Sequence, residues 1–186
     1  MTQENTNNNS RLAFFEKELN LIKNENVKNL TSKVLIEAPQ WFFTKPASSS
    51  GNFHPEYTRG EGGLKMHTKA VVYLLKEMFR SQMYDIDEYH QDLLLLSAIA
   101  HDTKKFGNLE YGGRTIKEHP ELAATYVEDI NKVYNFLDVD SIDYIKRCIT
   151  SHMGIWGNTK PETVDEQLLH LADLLASRKE VTIKIE

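Results

Sequence analysis

Several side chains able to bind a metal ion occupy positions where the local pattern calls for an apolar residue. His101 and Asp102 follow directly on residues 92–100, a run that is almost entirely apolar or small. The run holds good helix formers and neither Gly nor Pro, so it reads as a helix buried on most sides. A carboxylate delivered to the interior is costly unless it is paired or bound to a metal. Adjacent His and Asp at the end of a core helix are therefore a natural pair of metal ligands. That stretch alone also admits a helix end reaching solvent, with His101 on the helix dipole.

The rest of the chain favours the first reading. His67 shares an apolar stripe with Val71, Leu74, Leu75 and Met78, and His152 continues the stripe of Ile142, Ile145 and Ile149. Asp173 sits inside the dense apolar run of residues 168–175. One such residue is usually a satisfied core polar group. Several on different helices, all facing inward, are better explained by a shared ion. His119, which precedes Pro120 at a helix start, is a further candidate ligand. Histidines combined with carboxylates suit divalent transition metals such as Mn, Fe, Co, Ni or Zn.

The elements that must position these groups read as helices. Residues 1–9 are polar and of low complexity and are expected to be a disordered tail. Ser10 can cap a helix carrying Leu12, Phe15, Leu19 and Ile22. A second helix carries Val27, Leu30 and Val34 and stops before Pro39. Residues 40–63 show no helical period but contain Trp41, Phe42, Phe43, Phe53 and Tyr57, which predicts a long ordered loop. The helix of His67 and the core helix ending at His101 follow, then a loop or small hairpin over residues 106–116. Pro120 marks a helix running to about Tyr134. Asp140 or Ser141 caps the helix that ends in His152 near Gly154 and Gly157. Thr163 and Glu166 form a capping-box pattern for a last helix to about Lys179. Alternation of Val181, Ile183 and Ile185 fits a short C-terminal strand. The expectation is an all-α, single-domain bundle over residues 10–186.

With 27 Asp+Glu against 22 Lys+Arg, the net charge of -5 argues against a protein that coats nucleic acid nonspecifically. The single cysteine, Cys148, excludes an intramolecular disulfide and fits a reducing, cytoplasmic setting. The N-terminus lacks an apolar signal region, and no apolar run reaches membrane length.

Taken in order, His67, His101-Asp102 and Asp173 resemble the H…HD…D pattern of the HD-domain metal-dependent phosphohydrolases. His101-Asp102-Thr103-Lys104-Lys105 resembles the family's HDxxK form. The segment Gly62-Gly63-Leu64-Lys65-Met66-His67-Thr68 resembles the GGLxxHT entry of the subgroup containing YhaM-type 3′-to-5′ exoribonucleases. Ser151-His152-Met153-Gly154, Lys160-Pro161-Glu162-Thr163 and Leu169-His170-Leu171-Ala172-Asp173 are similar to that subgroup's SHHG, PxT and LHxAD patterns. The matches span residues 40–180 in the expected order. Two departures stand out: Met153 replaces the second histidine of SHHG, and the length leaves no room for the exoribonucleases' OB-fold domain.

The resemblance implies an HD-domain helical bundle with two divalent ions, Mg included. The first would take His67, His101, Asp102 and Asp173. Asp102 would bridge to a second ion held by His119 and His152. Two such ions hold a hydroxide and clamp phosphate oxygens for in-line attack, and Lys105 would neutralise developing charge. Lys45, Ser49 and His54, in the aromatic-rich loop, are candidate substrate contacts; a serine-rich turn or a surface histidine is as ordinary a reading. Trp41 can stack on a base or belong to the core. His170, three residues before Asp173, is expected to hydrogen-bond rather than ligate. The expected substrate is a small phosphorylated molecule, a nucleotide or a short nucleic-acid 3′ end, with no membrane partner. A regulatory, non-catalytic module binding metal or nucleotide is the alternative.

Overall fold

The computed structural model describes residues 3–48, 54–108, 113–181 and 183–184. Nine helices form among them: α1 (Gln3–Phe14), α2 (Glu16–Leu19), α3 (Glu25–Glu37), α4 (Gln40–Thr44), α5 (Gly63–Arg80), α6 (Glu88–Ala100), α7 (His119–Tyr134), α8 (Val139–Ser151) and α9 (Val164–Ala176). Two 3-10 turns, Glu56–Thr58 and Gly154–Trp156, complete the set. The expected all-α bundle is what the chain forms.

Helix α6 is the centre. Every residue from Asp92 to Ala100 is buried, and the helix packs on α3, α5, α8 and α9. Its entry is fixed by Asp92, whose carboxylate accepts from the backbone N–H groups of Lys23 and Asn24 at the start of α3. Helix α5 is tied to the N-terminal segment by Lys69, buried between Glu18 (3.0 Å) and the Phe14 carbonyl (2.8 Å). The segment between α4 and α5 is held at its base by backbone bonds from Ala47 to Thr58, Gly62 to Thr44 and Leu64 to Lys45. That stapling carries His54 over α5.

The structure corrects four expectations. The N-terminal helix begins at Gln3 rather than at a Ser10 cap, so residues 3–9 of the expected tail are helical. Arg11 anchors this helix by donating to the carbonyls of Ile36 and Ala38, and extending an anchored helix costs far less than nucleating one. The helix also breaks at Phe15, which is fully buried against Phe42. Residues 40–63 contain helix α4 and a 3-10 turn, too short to show a period. Helix α8 is capped by Asp138, whose carboxylate accepts from the Ser141 N–H. Asn131 fixes that position by binding the backbone of Phe136 and Leu137. Finally, no strand forms among the described residues. Ile183 packs into the helical core, where a lone strand has no edge to pair with; Ile185 lies outside the described residues. None of the described helices is long and apolar enough to cross a membrane.

Candidate metal centre

Five elements converge on one carboxylate. His67 projects from the interior of α5 and Asp173 from α9. His101 is the C-cap of α6 with Asp102 beside it, His119 is the first residue of α7, and His152 is the C-cap of α8. All four histidines and Asp102 are almost fully buried.

The two oxygens of Asp102 divide these groups. Oδ2 faces His101 Nε2 at 3.5 Å, His67 Nε2 at 3.9 Å and the Lys105 ammonium at 2.6 Å. Oδ1 faces His119 Nε2 at 3.2 Å and His152 Nε2 at 4.0 Å. Asp173 Oδ1 closes the first set, 2.9 Å from His67 Nε2 and 3.7 Å from His101 Nε2. Ligand atoms of His67, His101 and Asp173 are mutually close enough to share an ion, as are those of His101, Asp102 and His152.

Backbone contacts select the ring nitrogens. His101, His119 and His152 each place Nδ1 on the carbonyl three residues earlier, those of Ala98 (2.7 Å), Ile116 (2.6 Å) and Ile149 (2.7 Å). A carbonyl only accepts, so Nδ1–H donates, and in the neutral ring Nε2 is left as a lone pair aimed at the centre. His67 differs: its Nε2–H donates to the Asp173 carboxylate, and its buried Nδ1 has no hydrogen-bond partner among the described residues.

The charges are tightly set. Burial pushes the Asp102 carboxyl up, but Lys105 and His101 outweigh it and hold it well below its ordinary value. Burial also opposes ionisation of Asp173, whose hydrogen bond from His67 keeps it low. His101 is depressed by burial and raised more by Asp102 and Asp173, for a net rise. His152 is lowered to about 3 by burial and by its histidine neighbours.

Two observations test whether an ion fits. His101 Nε2 is buried with no hydrogen-bond partner among the described residues, an arrangement that a bound cation satisfies. His119 Nε2 and His152 Nε2 lie 3.2 Å apart, and with both Nδ1 atoms donating elsewhere these are two facing lone pairs. Only a proton or a cation makes that contact favourable. The nitrogen-rich donor set with carboxylates fits divalent transition metals.

The centre opens into a cavity of about 210 Å³. His54 reaches it, with its ring 5.7 Å from that of His67. Burial, then the neighbouring His67 and Lys105, lower His54 to about 4. Lys45 is exposed and does not line the cavity; Ala47 and Ser48 do. Ser49 lies outside the described residues. Trp41 is a core residue, packed 4.9 Å from Phe106. His170 donates from Nδ1 to the His152 carbonyl at 2.6 Å, the supporting hydrogen bond expected of it.

The sequence reading gave Gly154 only a helix-ending and motif position and passed over Trp156. Gly154 adopts φ +56°, and a β-carbon on it would lie 2.5 Å from the His170 ring. Trp156 stands half exposed on the cavity wall. A glycine two residues and an aromatic four residues after a candidate ligand were the available signal.

A family model described as HD domain matches residues 64–178. No curated protein and no solved structure matches the chain.

Proposed function

From the premise that the chain belongs to the HD-domain family, we propose that it hydrolyses a phosphate ester of a nucleotide or of a short nucleic-acid 3′ end, using two divalent ions. HD domains in general are metal-dependent phosphohydrolases. The observation that carries the reading is the division of Asp102: one oxygen meets the His67, His101 and Asp173 set, the other meets His119 and His152. In this reading the first set holds one ion, the second set holds another, and Asp102 serves both.

Divalent ions bound there acidify a water and neutralise phosphate oxygens. The chain's own groups do the rest. The Nδ1 contacts to Ala98, Ile116 and Ile149 orient three histidine rings with Nε2 toward the centre. Lys105, on the cavity wall, neutralises charge building on the phosphoryl group or leaving oxygen. His54, held neutral by its surroundings, is a substrate contact at the mouth. The Gly62–Thr68, Ser151–Gly154 and Leu169–Asp173 segments support a place near the YhaM-type exoribonucleases within the family.

A screen of nucleoside monophosphates, triphosphates, dinucleotides and oligonucleotides with Mn, Co, Ni, Zn or Mg tests the proposal. Turnover is expected, abolished by chelation and by Asp102→Ala in a variant shown to be folded. Absence of turnover with every metal, alongside measurable nucleotide binding, would replace it with a non-catalytic binding module.

A further inference from the structure

We infer that Trp156 is the platform on which this site receives a nucleobase, making the substrate's base, and not only its phosphate, a specificity element. The inference rests on the phosphohydrolase reading and deepens it.

The cavity bounded by described residues is about 210 Å³, below the roughly 300–1,000 Å³ of sites that enclose a whole small ligand. On the phosphohydrolase reading, the phosphoryl group sits beside Lys105 and the ion-binding His119 and Asp173, all of which line this cavity, and with its sugar takes up the inner space. The base then emerges at the rim. Trp156 stands at that rim, 52% exposed, on the same wall as His152 and Met153.

The position of Trp156 is built rather than incidental. It ends the 3-10 turn Gly154–Trp156, and its backbone N–H donates to the Met153 carbonyl at 3.2 Å. Gly154 brings the turn onto His170, and His170 in turn holds the His152 carbonyl. The indole lies 6.3 Å from the His170 ring at a 47° tilt. One chain of contacts therefore links the indole to the side chain facing Asp102. An exposed Trp held this way costs little further ordering when an aromatic ligand stacks on it. By contrast, Trp41 is buried 4.9 Å from Phe106 and offers no face to a ligand.

The chain has two tryptophans, which makes the test direct. The full-length, Mg-supplemented protein is titrated with adenosine 5′-phosphorothioate, with ribose 5-phosphate and thiophosphate as base-free controls, while indole fluorescence is read. The nucleotide is expected to quench emission and the controls are not; Trp156→Ala is expected to remove the quench, and Trp156→Phe to retain nucleotide affinity. Base stacking on an aromatic corresponds to a roughly 5- to 150-fold rise in KM for nucleotides in Trp156→Ala, with base-free esters unchanged. No quench by the nucleotide, or an equal KM change for esters with and without a base, overturns the inference while leaving the hydrolase reading intact. A chain that turns over no ester defeats the hydrolase reading, and the fluorescence titration still decides whether Trp156 binds a base.

Discussion

Replacing Gly154 by alanine probes the link between the turn after α8 and the histidines it positions. At φ +56° the residue is in the left-handed region, where a side chain costs roughly 1–2 kcal/mol. The new β-carbon would lie 2.5 Å from Cε1, 2.7 Å from Nε2 and 3.0 Å from Nδ1 of His170. Real β-carbons do not approach other atoms that closely, so the imidazole must swing away. Swinging breaks its 2.6 Å bond to the His152 carbonyl, a loss of about 0.5–1.5 kcal/mol. The sum is a destabilisation of roughly 1.5–3.5 kcal/mol in the metal-free protein. Urea unfolding of wild type, Gly154→Ala, His170→Ala and the double variant measures it. Both single variants lose the same hydrogen bond, so the double variant should fall short of their sum by about 0.5–1.5 kcal/mol. Because His152 faces Asp102, Gly154→Ala should also retain metal less well in a chelator competition. Additive single effects, or a wild-type midpoint for Gly154→Ala, would refute the proposed linkage.

His119→Ala and His152→Ala are each expected to lower metal content from about two ions per chain toward one; elemental analysis showing the wild-type count in both would leave a one-metal hydrolase. Lys105→Ala should keep its metals yet lose on the order of a hundredfold in kcat. Without metal it should also be less stable than wild type, because Asp102 is then buried without the ammonium 2.6 Å away; unchanged kinetics and stability would make Lys105 a bystander. The pH dependence follows from His152, which is held at about 3 when folded, against 6.5 for an ordinary histidine. Between those values the unfolded chain binds more protons, so metal-free stability should fall as the pH drops from about 6.5 toward 3. The lowered His54 acts in the same direction, and the depressed Asp102 and Asp173 lose their contributions at still lower pH. The raised His101 acts oppositely, its contribution fading as the pH rises through its folded value. Urea midpoints that stay flat between neutrality and pH 4 would contradict this balance.

Much of this arrangement could be read from residue pattern, because the informative signal was polarity where the helical period demands an apolar side chain. That signal marked His67, His101, Asp102, His152 and Asp173, and the structure brings their ligand atoms together. Pro120 and the interrupted periods bounded α7 and α3 well. The signal failed where no period exists. Lys45 shares a segment with His54, but the staples at Thr44, Lys45 and Ala47 turn only part of that segment inward. Trp41 and Trp156 carry the same chemistry, and only tertiary packing sends one to the core and the other to the cavity rim.

The ring nitrogen that faces the centre was also within reach of the sequence, though by an argument different from periodicity. A helix C-terminus leaves its last carbonyls without backbone donors. His101 and His152 follow the final residues of α6 and α8, and each places Nδ1–H on a carbonyl of that last turn, of Ala98 and of Ile149, the latter also accepting the His152 backbone N–H at 3.3 Å. The bond caps the helix and fixes the tautomer at once, leaving Nε2 for Asp102. His119 obtains the same result from the turn before α7, through Ile116. His67 lies within α5 rather than at a helix end, and it alone of the four turns Nε2–H toward a carboxylate with Nδ1 unpartnered among the described residues. Position along the helix therefore separates three histidines whose Nδ1–H is committed to a carbonyl, with Nε2 toward the centre, from one whose Nε2 proton is hydrogen-bonded to Asp173 and must leave before that nitrogen can ligate.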